Sequence, residues 1–155
     1  MNASPNGNDC KNLRDEYADL ADLFLLRLAC GGRGGDDSLH RLPVKEMFLR
    51  IFSCTEIDDY KAAEMVALMG LRLQEIESRP PRREGPLFDN IERLASKLGL
   101  SSVEQEVLAF RVLARTCEEL ENFLQSLGNL SEAKLARILA LALNFQWGLG
   151  GMVNF

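Results

Sequence analysis

The chain has 155 residues and a mass of 17.3 kDa. That length fits one domain and buries about two thirds of its extended-chain surface, so a core can form without metals or disulfides. Its 18 Lys+Arg against 23 Asp+Glu give a formal net charge of -5 and a pI of about 5.0, which argues against a general affinity for nucleic acid or anionic lipid. Hydrophobic residues at 46% and charged residues at 26% exclude a wholly disordered or fibrous chain.

Residues 1–12 are rich in Asn, Ser, Pro and Gly and read as a flexible N-terminal tail. They lack the basic start and apolar run of a secretory signal, so cytoplasmic residence is expected. A helix is expected to start near Asn12 or Asp15. Leu13, Tyr17, Leu20, Phe24 and Leu28 recur at three- and four-residue steps, and Leu23, Leu25 and Leu26 widen the apolar face. Asp22 and Arg27, and a length about half of what a bilayer needs, argue against a membrane span. The run closes at Gly31-Gly32, where a missing β-carbon permits a left-handed turn. Pro43 opens a short second helix with Val44, Met47, Phe48, Ile51 and Phe52 on its apolar side. A longer segment, capped by Thr55 or Asp58, reaches Glu77 through Met65, Val66, Met69, Leu73 and Ile76. Gly70 weakens it by about 1 kcal/mol unless its bare backbone permits a close crossing.

Residues 78–86, Ser-Arg-Pro-Pro-Arg-Arg-Glu-Gly-Pro, stop both helix and central strand and read as a Pro/Arg-rich linker. Arg79, Arg82 and Arg83 make it locally basic in an acidic chain. Beyond it, Leu87, Ile91, Leu94, Ala95 and Leu98 form a stripe that stops at Gly99, and Ser101 with Glu104 spells a capping box. Val103, Val107, Leu108, Phe110, Val112 and Leu113 make the next helix apolar around much of its circumference, so it is expected to be central and the best buried. Thr116-Cys-Glu-Glu119 repeats the capping-box pattern before Leu120, Phe123, Leu124 and Leu127. Gly128 then ends that helix, and Ser131 starts the last one.

The expected fold is therefore all-α, an irregular bundle of about six or seven helices. An N-terminal helical subdomain over 13–77 and a C-terminal one over 87–155 are joined by the 78–86 linker, and packing across it would make one compact unit.

Sites of chemistry were sought by residue type and spacing. Cys10, Cys30, Cys54 and Cys117 form no C-x-x-C pair, and His40 is the single histidine, so no metal cluster is spelled out. Gly31-Gly-Arg-Gly-Gly35 lacks the lysine and the preceding strand of a phosphate-binding loop. Asp36-Asp37, Asp58-Asp59 and Glu118-Glu119 read as solvated acid. Ser101 and Ser131 sit at cap positions rather than in a nucleophile elbow. No catalytic, cofactor-binding or metal-binding residue is nominated, and no cofactor is expected.

The phrase Leu100-Ser-Ser-Val-Glu-Gln-Glu-Val-Leu108 resembles one in helix-turn-helix activators of the LuxR kind. A recognition helix should then be polar and partly basic, whereas Thr116–Gln125 carries Glu118, Glu119 and Glu121 and no Lys or Arg. A longer likeness covers 87–144, from Asn90-Ile-Glu-Arg-Leu-Ala-Ser-Lys-Leu-Gly-Leu-Ser-Ser-Val-Glu through Leu-Gly-Asn-Leu-Ser-Glu-Ala-Lys-Leu-Ala-Arg-Ile-Leu-Ala140. It resembles the helical region that precedes the ATPase module in bacterial AAA-family ATPases, with Ser101, Val103, Glu104 and Val107 matching an L-G-L-S-x-x-E phrase and its apolar helix. No Walker loop follows up to Phe155, so the resemblance implies an accessory or regulatory helical domain rather than ATPase activity.

The leading expectation is a non-enzymatic protein-interaction or regulatory module. Its partner would be a protein, either an AAA-family ATPase or a second copy of the chain, with neither nucleic acid nor membrane favoured. Arg79, Arg82, Arg83, Trp147 and Phe155 are the candidate partner surface, and the 55–77 segment or the Gly-rich terminus the candidate apolar patch. The alternatives are a helix-turn-helix transcription regulator and a small helical enzyme whose site forms only in three dimensions.

Overall fold

The first long helix, α1 (Ala18–Gly31), carries consecutive apolar residues on every side, and its environment follows from that. Leu20, Leu23, Phe24, Leu25, Leu26 and Leu28 are all buried, so neighbours must surround it. In a computed structural model, which describes residues 16–31, 44–52 and 62–144, they do. The further helices are α2 (Val44–Ile51), α3 (Ala62–Ser78), α4 (Pro86–Leu98), α5 (Ser102–Thr116), α6 (Glu118–Ser126) and α7 (Glu132–Ala142). Seven helices and no strand are found among the described residues, an all-α irregular bundle. No described helix is long and apolar enough to cross a membrane.

α1 lies at the centre, packed against α3 and α7 and more lightly against α2 and α5. α4 packs on α5, and α5 on α6. One hydrophobic cluster draws on both sides of the 78–86 segment: Leu20, Phe24, Met47 and Met69 from one side, Leu87, Ile91, Phe110, Phe123 and Ile138 from the other. Phe24 meets Phe110 edge to face at 5.3 Å between ring centroids, an arrangement that adds about 0.5–1.5 kcal/mol to the gain from burial.

The proline-rich segment is tied to α1 by one side chain. The buried Tyr17 hydroxyl donates to the Glu84 carbonyl at 3.1 Å and accepts from the Leu87 amide at 3.2 Å. Leu87 is in the first turn of α4, whose N-cap Gly85 supplies no side-chain bond, so a residue 70 positions away performs the capping. Gly85 is required there. Its φ is +92°, and a Cβ would run into the Glu16 carboxylate and the Tyr17 hydroxyl. Arg27 fastens the opposite end of α1, donating to Glu77 of α3 at 3.0 Å and to the Ala142 carbonyl at the end of α7 at 3.1 Å.

The cap signals read from the sequence hold at α4, α5 and α7. Gly99 closes α4 in the left-handed region at φ 69°. Ser101 and Glu104 form the reciprocal capping box, and Ser131 accepts from the Lys134 amide. Two expectations are corrected, and one alternative is decided. Thr116 is the last residue of α5 and donates back to the Val112 carbonyl at 3.1 Å, so α6 starts from Cys117 with no side-chain cap. Gly70 meets nothing within 4 Å among the described residues, so the reading in which it weakens its helix stands and the close crossing does not. The best buried helix is α1 rather than α5, whose Val103 is 48% exposed and whose Val107, Leu108 and Val112 are only half-buried. Part of the α5 apolar surface has no helix on it among the described residues. Pro43, Thr55 and Asp58, read as helix starts, lie outside the described residues, as do residues 1–12.

Candidate functional site

The uncovered side of α5 is one wall of a groove. Its cause lies in two tight joints. Cys117 is at once the C-cap of α5 and the N-cap of α6, at φ -99° and ψ 108°, so the chain turns within one residue and α6 folds back beside α5. After α6, Gly128 at φ 69° reverses the chain, a geometry that glycine adopts without a Cβ penalty, and Ser131 starts α7. Three successive helices then line an open groove of about 570 Å³. Val107, Phe110, Arg111, Ala114 and Arg115 line it from α5, Glu121, Leu124 and Gln125 from α6, Gly128 and Leu130 from the turn, and Leu135 and Leu139 from α7.

The groove is apolar at its floor and charged at its rim. Phe110 and Ala114 are buried, whereas Leu135 is 44% exposed to solvent. Val103 stands one helical turn before Val107 on the same face, so the apolar strip on α5 runs past the groove. Leu94 and Leu98, 44% and 65% exposed, extend exposed apolar surface onto α4. Arg111 and Arg115, also one turn apart, are exposed and make no ion pair among the described residues. Glu121 is the single acid in the lining.

Behind the groove, Arg50 of α2 joins three elements. Its guanidinium pairs with Asp22 of α1 at 3.1 Å and with Glu119 in the first turn of α6, and Cys117 Sγ lies 3.3 Å from the Glu119 carboxylate. Burial pushes the Asp22 carboxyl above its ordinary value even though Arg50 opposes the shift. Burial also acts on Glu119, but its own backbone amide and Arg50 outweigh it and hold that carboxyl low. Burial raises the Cys117 thiol, which stays a protonated hydrophobe at neutral pH. Each charged group here has its partner in the fold, so the cluster serves as a brace. Among the described residues, no group of three or more His, Cys, Asp or Glu is placed to hold a metal ion.

The partner-surface residues expected from sequence are dispersed. Arg83 pairs with Glu106 of α5 and so pins the 78–86 segment to the helix that forms the groove. Arg82 stands 4.0 Å from Glu84 in solvent, and Arg79 is exposed. Trp147 and Phe155 lie outside the described residues, together with Cys10, His40, Cys54, Asp36-Asp37 and Asp58-Asp59. On α3, within the expected 55–77 patch, Leu71 is 63% exposed. Sequence reading missed Arg111, Arg115, Leu124 and Leu135 as a set. The signal was present in the apolar excess of α5, which exceeds what one contact face requires. No family model, no curated protein and no solved structure matches this chain.

Proposed function

We propose that the chain is a non-enzymatic protein-interaction module that receives a partner protein in the α5–α6–α7 groove. The observation that carries this reading is the open apolar groove of about 570 Å³, flanked by the exposed Val103 and Leu135. Apolar surface that the fold leaves uncovered gains free energy when a partner removes it from water, at about 25 cal/mol per Å². The polar groups with shifted proton affinities near α6 are paired to one another within the fold. The resemblance of 87–144 to the region before an AAA-family ATPase module makes such an ATPase the proposed partner, and the proposed setting is the cytoplasm.

Chemical cross-linking in native lysate through Lys97 and Lys134, followed by mass spectrometry, tests the assignment. Wild-type chain should cross-link to a defined protein, and the Leu135→Asp variant, verified as folded by circular dichroism, should lose that product. Identical products from the two proteins would refute the groove as the binding surface. A product that is a second copy of the chain, confirmed as a dimer by light scattering, would replace an ATPase with self-association. The helix-turn-helix alternative would place α6 in the major groove of DNA, where Glu118 and Glu121 would face phosphate, so no observation favours it.

A further inference from the structure

Three features gather charged side chains: the Arg50 brace, the hollow beside Arg27 and Arg137, and the rim of the α5–α6–α7 groove. The first has its charges satisfied within the fold, and in the second Arg27 is already bonded to Glu77 and to the α7 terminus. The rim is different. Arg111 and Arg115 stand on one wall, one helical turn apart, exposed and without an ion pair among the described residues. Their local charge is opposite to the chain's net of -5. Below them the floor is apolar, and Glu121 is the only acid in the lining.

We infer that the groove takes an amphipathic α-helix of a partner protein, with an apolar ridge facing the floor and a pair of acidic side chains four residues apart along the α5 side. This rests on the interaction reading above and specifies its ligand. Val107 to Ala114 covers eight residues and seven rises, about 10 Å of helix, which matches two turns of an occupant presenting apolar residues at i, i+3, i+4 and i+7. Two carboxylates at i and i+4 repeat the spacing of Arg111 and Arg115, so both guanidinium groups are answered by one helix face. A helix with basic flanks meets like charge on that wall. Residues 145–155 contain no charged side chain and cannot answer the arginines.

The test uses full-length chain and two labelled synthetic peptides of 18 residues. Both have the same leucine ridge; one carries Glu and the other Lys at the flanking i and i+4 positions. Fluorescence anisotropy should show the Glu peptide binding at least tenfold more tightly than the Lys peptide. R111E/R115E should invert that order, and Leu135→Asp should abolish binding of both. Equal affinity for the two peptides, lost in Leu135→Asp, would overturn the acidic-partner inference and leave the groove reading standing. Absence of binding by either peptide, with the cross-link to a partner still lost in Leu135→Asp, would do the same. A gain of more than tenfold for both peptides in Trp147→Ala would overturn it by assigning the groove to residues 145–155. Loss of neither cross-link nor peptide binding in Leu135→Asp would overturn the groove reading itself.

Discussion

Replacing Tyr17 by Phe removes one oxygen and tests whether the proline-rich segment is fastened to α1 by hydrogen bonding. The ring remains, with its edge-to-face contact to Phe88 at 5.9 Å, so little apolar burial changes. The bonds to Glu84 and Leu87 are lost, and the exposed Glu16 carboxylate, which also bonds the phenol, returns to water. The Glu84 carbonyl belongs to an exposed residue and can turn to water, a loss of about 0.5 kcal/mol. The Leu87 amide is buried and belongs to the first turn of α4, so it has no intrahelical acceptor. An orphaned buried donor costs about 1–3 kcal/mol. The expected destabilisation is therefore about 2 kcal/mol, equivalent to a Tm lower by about 4–8 °C for a domain of this size. Urea unfolding should show a lower midpoint with an unchanged slope, and hydrogen exchange should show the Leu87 amide losing protection. The pH dependence supplies a second check. Burial raises the Tyr17 phenol in the folded state, so its contribution is complete below the ordinary tyrosine range and is lost as pH rises through the folded value. The difference between wild type and Tyr17→Phe should shrink at alkaline pH. A change under 0.5 kcal/mol at neutral pH, with Leu87 still protected, would refute this account.

Four further outcomes are expected. Gly70→Ala should stabilise the chain by about 0.5–1 kcal/mol in urea unfolding, because the position is helical, its φ is ordinary and no atom lies within 4 Å of the new Cβ. Phe24→Ala should cost about 3–5 kcal/mol, since the ring is fully buried and meets Phe110. Arg50→Met should cost about 2–3 kcal/mol at pH 7, less than full burial would give because the three charged side chains keep some solvent contact. That penalty should shrink on acidification, with Asp22, whose carboxyl is raised, taking up its proton before Glu119. Glu104→Gln should lower the Tm at neutral pH and converge on wild type in acid. The Ser101 amide and hydroxyl hold the Glu104 carboxyl below its ordinary value, so its contribution is present above the ordinary glutamate range and disappears as pH falls through the folded value.

How far the fold was legible in the sequence differs between elements for physical reasons. Helix ends at Gly99, Ser101, Gly128 and Ser131 were readable because their chemistry is local: a left-handed glycine or a hydroxyl three residues from its amide. The Thr116 reading failed because the same hydroxyl can accept from an amide ahead of it as a cap or donate to a carbonyl behind it, and the helix behind it won. Tyr17 as the cap of α4 was not readable, since its partner lies 70 residues away and periodicity gives only its apolar ring. The exchange of rank between α1 and α5 has a similar cause. Both are apolar on several sides, and only the packing shows that α1 is surrounded while α5 keeps one side open. The groove is thus a residual, the part of an apolar helix that no local signal assigns to a neighbour.

The Arg50 brace connects that residual to the rest of the molecule. The angle between α5 and α6 is set at a single residue, Cys117, with no side-chain cap to stiffen it. Beside the buried Leu120, the first turn of α6 is held by Glu119, paired with Arg50, which is itself paired with Asp22 on the central helix. The carboxylate near the start of α6 also opposes the positive end of its helix dipole. A groove wall joined through one uncapped residue is therefore referenced to α1 through two ion pairs, while its floor residue Phe110 meets Phe24 of that central helix. Loss of Arg50 should thus do more than lower stability. It should widen the spread of α6 positions relative to α5, weakening groove binding by more than the folded fraction accounts for, whereas Met69→Ala, a fully buried change on α3, which lines no part of the groove, should weaken binding only in proportion to unfolding. Comparing peptide affinity with the folded fraction of each variant separates the two, and equal proportionality in both would show that α6 needs no brace.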